Sequence, residues 1–243
     1  AKSVKELGFN QTENITQEKI EENLDTEVLG KEIYCFRKVL STNNIAKFLA
    51  NHGSPEGTIV ISEIQTKARG RSGTKWESPE GGIWMSIILR PNLEPAKASL
   101  ITLAAGVAIA KTMRNRGIDA KIKWPNDVLI EGKKVSGVLT EANITFNKLD
   151  YVIVGVGIDT NLNIEDLSED LKAGATTLHD EMKMEKVDEN IIIADLLKEF
   201  EEIYKLYADQ QIEAILKDWR DNSDTIGKYV EITQALGQKS IGC

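Results

Sequence analysis

The sequence predicts an α/β domain whose mixed, largely antiparallel sheet is covered by helices. Short apolar runs of strand character alternate with segments of helical periodicity, and a tight hairpin turn joins neighbouring runs, an arrangement that a doubly wound parallel sheet does not use. With 243 residues, of which 41% are hydrophobic, the chain can bury one large core and carry small attachments.

The elements follow in order. Residues 1–30 are polar and read as a linker or appendage, with a short amphipathic helix starting at Thr16 as N-cap and running through Ile20 and Leu24. Strand signals fall at 32–37, 58–64, 83–89, 127–130, 135–141 and 151–155. Thr42 or Asn43 caps a helix to about residue 51, where His52 before Gly53 suits a helix C-terminus. A buried helix of small residues covers 98–116 and stops at Gly117, and a third helix at 191–207 shows apolar spacing at Ile193, Leu196, Leu197, Phe200, Ile203 and Tyr204. Glu131, Gly132 and Lys133 supply a hairpin turn.

Composition narrows the function classes. The formal charge of −8 opposes binding to a phosphate backbone, so no nucleic acid is expected as a partner. The most apolar stretch, 98–110, falls short of the roughly 18 residues of a membrane span, and no secretion signal opens the chain, so a cytoplasmic protein with no membrane partner is expected. Cys35 and Cys243 form no C-x-x-C pair, and His52 and His179 show no ligand spacing, so a zinc site is not expected; Cys35 reads as core.

The chemistry concentrates in 63–86, EIQTKARGRSGTKWESPEGGIWMS, which holds two arginines, two lysines and four glycines between two apolar runs. Glycines let backbone N–H groups close on an anion while Arg69, Arg71 and Lys75 supply charge. A solvated basic turn would have the same composition. Two further segments shift the balance: KWPND at 123–127, where Pro125 ends an extended segment and a turn holds Lys123 and Asn126 at a strand end, and YVIVGVGIDTNLN at 151–163, an apolar strand that breaks into glycines and short polar residues.

Taken with KVSGVLTE at 134–141, these segments resemble, in content and order, the catalytic domain of biotin protein ligases, over about residues 31–222. That family carries a GRGR-x-G-R-x-W-x-SP-x-GG loop, KWPND, a K-x-x-G-I-L-x-E strand and a GIGINVN-like turn. The resemblance implies the same α/β fold. It also implies a catalytic domain at 31–223, followed at 224–243 by the first strand of a small SH3-like barrel that the remaining residues are too few to complete. It makes 1–30 similar to the linker that follows a winged-helix domain in larger members.

The resemblance further implies a ligase that activates biotin with ATP and Mg²⁺ to biotinyl-5′-AMP and transfers biotin to a lysine of a biotin carboxyl carrier protein, with weak homodimerisation. Arg71 and Lys123 match the catalytic cations. Ser41, Thr42, Asn43, Gln65, Arg69, Gly70, Arg71, Lys123 and Gly137 match the biotin site, and Arg69, Arg71, Trp76, Asn126, Asp159 and Asn161 the ATP site, with Asn126 also the candidate Mg²⁺ ligand. Ser41-Thr42-Asn43 is equally an ordinary helix start, and capping and ligand contact can coexist.

Three positions depart from the pattern: Ala68 for the first glycine, Thr74 for an arginine, and Asp159 for an asparagine. A carboxylate at 159 repels a triphosphate unless it is protonated or metal-bound, which implies weaker ATP binding or a metal-assisted variant. Two other functions stay open. A lipoate or octanoate ligase shares the adenylation logic but lacks the Arg-Gly-Arg loop, and a non-catalytic biotin sensor of a repressor would account for Asp159. Gly155-Val156-Gly157 imitates a dinucleotide fingerprint but lacks its third glycine and helix.

Overall fold

The computed structural model describes residues 12–183, 186–233 and 239–242. Nine strands and seven α-helices alternate through these residues: α1 (Gln17–Glu21), β1 (Ile33–Val39), α2 (Thr42–Asn51), β2 (Ile59–Gln65), β3 (Gly82–Leu89), α3 (Leu100–Arg114), β4 (Ala120–Lys123), β5 (Asp127–Ile130), β6 (Lys133–Thr145), β7 (Lys148–Asp159), α4 (Glu169–Lys172), α5 (Leu178–Met182), α6 (Glu189–Ala208), α7 (Ile212–Asp221), β8 (Val230–Thr233) and β9 (Lys239–Gly242).

Seven strands form one sheet in the order β1-β2-β3-β7-β6-β5-β4. Only the β1–β2 pair is parallel, so the mixed, largely antiparallel sheet expected from the sequence is what forms. Strands β4 to β7 make a meander, and the turn between β5 and β6 places Glu131 and Gly132 at φ 49° and 80°, the paired positive values that match the twist of a two-residue hairpin. The β8–β9 hairpin stands apart from this sheet.

Alternation along the strands divides the molecule into two faces. Ile83, Met85, Ile87 and Leu89 of β3 and Val152, Val154, Val156 and Ile158 of β7 join the main core with α3 and α6. Helix α3 can lie close because Ala104, Ala105, Gly106 and Ala108 keep its buried side small. The opposite face is covered only in part: Ile88, Tyr151 and Ile153 pack under Ala46, Leu49 and Ala50 of α2. Further along the same face Trp84 packs with Leu162, Leu167 and Ala175, and the stretch of Ser86, Gly155 and Gly157 lies between the two clusters.

The elements extend further than their apolar signals. β6 and β7 run to Thr145 and from Lys148, because the hairpin tip carries polar residues without core periodicity. Helix α7, with Ile215 and Trp219 buried, is an element that the apolar signals do not mark; β4 is the extended segment expected before Pro125, and its outer edge pairs with the residues after α7 through Ile122 N–H to Asn222 O and Asp224 N–H to Ile122 O, both 2.8 Å. Pro95–Arg114 is long and apolar enough by composition to cross a membrane, although its central run alone is not, and 61% of its apolar window is buried in the fold. Cys35 is half-buried against the main core, with its thiol pushed up to about 12 by burial and then by Glu18, Glu63 and Glu21. Cys243 lies outside the described residues.

The described part of 1–30 is packed onto the domain rather than appended to it. Ile15, Ile20 and Leu29 are buried in the main core. Thr16 caps α1 as expected, accepting from Lys19 N–H. Asn190 of α6 donates to Asn14 O at 3.0 Å and accepts from Thr16 N–H at 3.1 Å. Glu201 on α6 accepts the N–H groups of Glu27, Val28 and Leu29 at 2.7, 2.8 and 2.8 Å. Burial opposes its charge, but these three donors and Lys205 outweigh it and hold the carboxyl below the usual range. Removing a charged acceptor and stranding its donors costs several kcal/mol, so Glu201→Ala should lower unfolding stability by about 3 kcal/mol, read as an earlier urea midpoint with an unchanged slope.

Candidate functional site

The open part of the sheet face has a floor almost without side chains. On the α2 side β3 presents Ser86, β7 presents Gly155 and Gly157, and β6 presents Gly137. Register brings them together, with Ser86 opposite Gly155 and Gly137 opposite Gly157. Above this floor is a cleft open to solvent. The start of α2, the loop after β2, the β4–β5 turn and Lys134 wall it.

One end of the cleft is a hydrogen-bond network. Gln65 Oε1 accepts from Thr42 N–H at 2.8 Å and from the Thr42 hydroxyl at 3.1 Å, and Gln65 Nε2 donates to Ser78 Oγ at 3.0 Å. The Ser86 hydroxyl lies 2.6 Å from Asn43 Oδ1 and 2.8 Å from Thr42 Oγ1. Ser41 is the N-cap of α2, yet its side chain makes no capping bond. The Ser-Thr-Asn segment therefore starts a helix by backbone geometry, while its polar groups turn into the cleft wall. No acidic residue lines this cleft.

The basic loop between β2 and β3 closes on itself. Gly70 N–H donates to Thr74 O at 2.7 Å, Arg69 and Lys75 form a β-bridge, and Ser72 and Gly73 take φ of 57° and 78°. Thr74 has a local task, since its hydroxyl donates to Arg71 O at 3.0 Å and a Cβ at Gly70 would lie 2.7 Å from its Oγ1. Ala68 is buried and not among the positive-φ residues, so alanine replaces glycine there without backbone strain. Arg69 and Arg71 are exposed along the cleft; Arg69 donates to Asn44 Oδ1 at 3.3 Å, and the Arg71 guanidinium lies 5.9 Å from the Trp124 ring.

Trp76 lies on the glycines of the floor. A Cβ at Gly157 would come within 2.8 Å of its ring and one at Gly137 within 2.9 Å, so this indole requires both positions bare. Lys134, which sequence reasoning missed, sits with Nζ 4.7 Å from the Trp76 ring centroid and 2.7 Å from Asp127 Oδ1. Its signal is its place as the first residue of KVSGVLTE, beside the small-residue strand Val135-Ser136-Gly137. Asn126 lines the cleft and donates to Val138 O at 3.0 Å, so its carbonyl oxygen is the atom it can offer a cation.

Ser41, Thr42, Asn43, Gln65, Arg69, Gly70, Arg71, Trp76, Asn126 and Gly137 are thus gathered around one cleft. Lys123, Asp159 and Asn161 are not among its lining residues. Lys123 is exposed at the end of β4, just before the turn that carries Asn126. Asn161 spends its side chain on a clasp, donating to Val187 O at 2.9 Å and accepting from Val187 N–H at 2.8 Å. Asp159 follows Gly155 and Gly157 on the same face of β7 but is buried, and burial pushes its carboxyl up to about 7 against the pull of Lys134.

That burial sets a pH dependence. Between roughly 3.9, the ordinary value, and about 7 the folded state holds a proton that the unfolded state has lost, so stability falls as pH rises through this window and stays reduced above it. Asp159→Asn should therefore melt at a higher temperature than the parent protein at about pH 8, with the gap closing towards about pH 4.

Comparison with known proteins agrees with this geometry. The model of the Biotin/lipoate A/B protein ligase family matches residues 35–159, just over half of the chain. The chain is 39% identical over 215 residues to the bifunctional ligase/repressor BirA of Bacillus spizizenii, covering 88% of this chain and 66% of that protein. It is 34% identical over 195 residues to the biotin–[acetyl-CoA-carboxylase] ligase of Mycobacterium tuberculosis, covering 77% of this chain and 68% of that protein. The biotin protein ligase of Aquifex aeolicus, solved in complex with biotin and ATP, superposes with a TM-score of 0.73 at 29% identity, over 87% of this chain and 86% of that chain. The chain spans about two thirds of the Bacillus relative and 57% of the length of the Escherichia coli BirA. A bare-floored cleft walled by the Ser-Thr-Asn helix start and an Arg-Gly-Arg loop, together with these matches, places the chain in the Biotin/lipoate A/B protein ligase family, as the catalytic domain of a biotin protein ligase.

Proposed function

We propose that the domain joins biotin to ATP, releasing pyrophosphate, and passes biotin from the resulting biotinyl-5′-AMP to a lysine of a biotin carboxyl carrier protein. The observation that carries this reading is one cleft in which a neutral polar end, a bare floor and a cationic wall adjoin. The polar end of Ser41, Thr42, Asn43 and Gln65 suits the cyclic urea, whose donors and acceptor need convergent partners in an otherwise apolar slot. Gly137 and Gly157 let the Trp76 ring lie against the backbone, where it forms an apolar side of the slot.

In the first step a carboxylate oxygen of biotin forms a bond to the α-phosphorus of ATP and the bond to pyrophosphate breaks. In the second a lysine amine attacks the acyl carbon and AMP leaves with the bonding pair. Both steps bring negative charges together, so cations placed beforehand lower the barrier. Arg69, Arg71 and Lys134 supply that charge from the cleft wall, with no carboxylate among the lining residues to compete. Lys123 adds a mobile charge from the end of β4. Trp76 offers an aromatic face to the nucleotide. Asp159 and Asn161 act on the nucleotide side indirectly, by fixing the end of β7 and the loop after it. Among the described residues no cluster of acidic and histidine side chains would hold a metal, which suits Mg²⁺ carried on triphosphate oxygens with Asn126 as its protein contact, where it would neutralise phosphate charge.

The protein acts in the cytoplasm, where ATP and carrier proteins meet. Residues 31–223 form its catalytic unit, with 12–30 as a packed leader and the β8–β9 hairpin as the start of an SH3-like domain. One sheet surface serves either weak homodimerisation or carrier docking. The test is biotin-dependent ATP–pyrophosphate exchange with Mg²⁺, with octanoate and lipoate as parallel substrates. Exchange with biotin alone is the expected result. Exchange with octanoate or lipoate would move the domain to lipoylation, and biotin binding without exchange would make it a sensor. Lys134→Ala and Lys123→Ala should each slow exchange by on the order of 10²–10³ while keeping the melting temperature, and near-normal turnover would remove either residue from the mechanism.

A further inference from the structure

Behind the residues that line the cleft stands a charged group that the proposed reaction does not use. Glu141 stands on β6 in the alternation that carries Gly137 and Leu139, and its carboxylate reaches α2 at two points one helical turn apart: Oε2 accepts from Asn43 Nδ2 at 2.7 Å and Oε1 from Lys47 Nζ at 2.5 Å. It is half-buried. Burial opposes its ionisation, but the bonds from Lys47 and Asn43 and the charges of Lys47 and Arg69 prevail and hold the carboxyl below the usual range.

An ionised carboxylate only accepts hydrogen bonds, so it determines which end of the Asn43 amide faces it. With Nδ2 turned to Glu141, Oδ1 faces Ser86 and accepts its hydroxyl proton at 2.6 Å. The same Ser86 hydroxyl also points its proton towards Thr42 Oγ1 at 2.8 Å, which leaves the Thr42 hydroxyl to donate to Gln65 Oε1. Glu141 fixes a chain of orientations that ends at the residues proposed to meet the ligand. If residue 141 could also donate, the amide could turn, Ser86 would become an acceptor, and the end of the cleft would offer the reverse pattern.

We infer that Glu141, held by Lys47, is a positioning residue that sets the donor and acceptor polarity of the Thr42–Asn43–Ser86 end of the cleft and thereby its selectivity for a cyclic urea. This rests on the reading of the cleft as a biotin site. The side chain acts through Asn43, and touching the substrate forms no part of its role. Lys47 keeps the carboxylate charged and aimed, and Gly155 leaves the space into which Asn43 fits, since a Cβ there would lie 2.4 Å from Asn43 Oδ1.

The experiment compares calorimetric affinities for biotin and for 2-iminobiotin, in which nitrogen replaces the ring carbonyl oxygen, in the parent protein, Glu141→Gln, Lys47→Met and Lys47→Arg, alongside pyrophosphate exchange. Glu141→Gln should weaken biotin by about 10-fold to 100-fold, equivalent to about 1.4–2.8 kcal/mol. It should weaken 2-iminobiotin less, so that discrimination between the two narrows by at least about fivefold. The KM for biotin should rise with the binding constant, while kcat and the KM for ATP stay within about threefold. Lys47→Met should reproduce part of the effect and Lys47→Arg restore it. A loss shared equally by both ligands, or no loss, overturns the inference, because a strut between α2 and β6 would not distinguish oxygen from nitrogen. A parent protein that binds no biotin would instead overturn the reading on which it rests.

Discussion

The site depends on the absence of side chains at the centre of a sheet. Gly137 faces Gly157 across β6 and β7, and Ser86 faces Gly155 across β3 and β7. Glycine weakens a strand, through both the entropy it loses and the packing it does not make. The sheet tolerates this because its other face is continuous: Val138, Val154, Val156, Ile158 and Met85 pack beneath the same strands into the core with α3 and α6. One face anchors the strands so that the other can remain bare. Trp76 and Asn43 then stand where side chains of the sheet would otherwise be.

Charge follows the same division of labour. The chain as a whole is acidic, at −8, yet the cleft lining contains Arg69, Arg71 and Lys134 and no carboxylate. Three acidic groups of these segments are each tied to a cation: Asp127 to Lys134, Glu141 to Lys47, and Glu77 to Lys75 at 3.0 Å. Net charge thus describes the surface and says little about a site, because interactions over a few ångströms outweigh those averaged over the molecule.

Much of this was legible in the sequence, for identifiable reasons. The sheet class followed from hairpin turns such as Glu131-Gly132 and from the apolar runs of β2, β3 and β7, where both faces are buried and the signal is strong. The cleft residues on the Arg-Gly-Arg loop and at the start of α2 were legible because unusual residue types cluster there. What escaped was set by tertiary partners. Lys134 reads as one more surface lysine until Trp76 and Asp127 are seen beside it. Glu141 gives no sign of its two contacts on α2, since they arise from a helix far away in the chain. The bonds of Asn161 to Val187 could not be foreseen from the turn. Residues 12–30 look detached because few apolar side chains, chiefly Ile15, Ile20 and Leu29, carry their burial.

The register of β3 with β7 has a consequence for how the protein acquires its site. β4 to β7 follow one another in sequence and can pair through short loops, so the Gly137–Gly157 half of the floor can assemble from local contacts. Ser86 and Gly155 belong to strands separated by α3 and three intervening strands, and the loop entropy of bringing them together must be met before that half exists. The floor therefore spans a fast-forming and a slow-forming part of the sheet. Ligand binding reports on the completed topology, and a partly folded chain with only the meander in place would carry half a site.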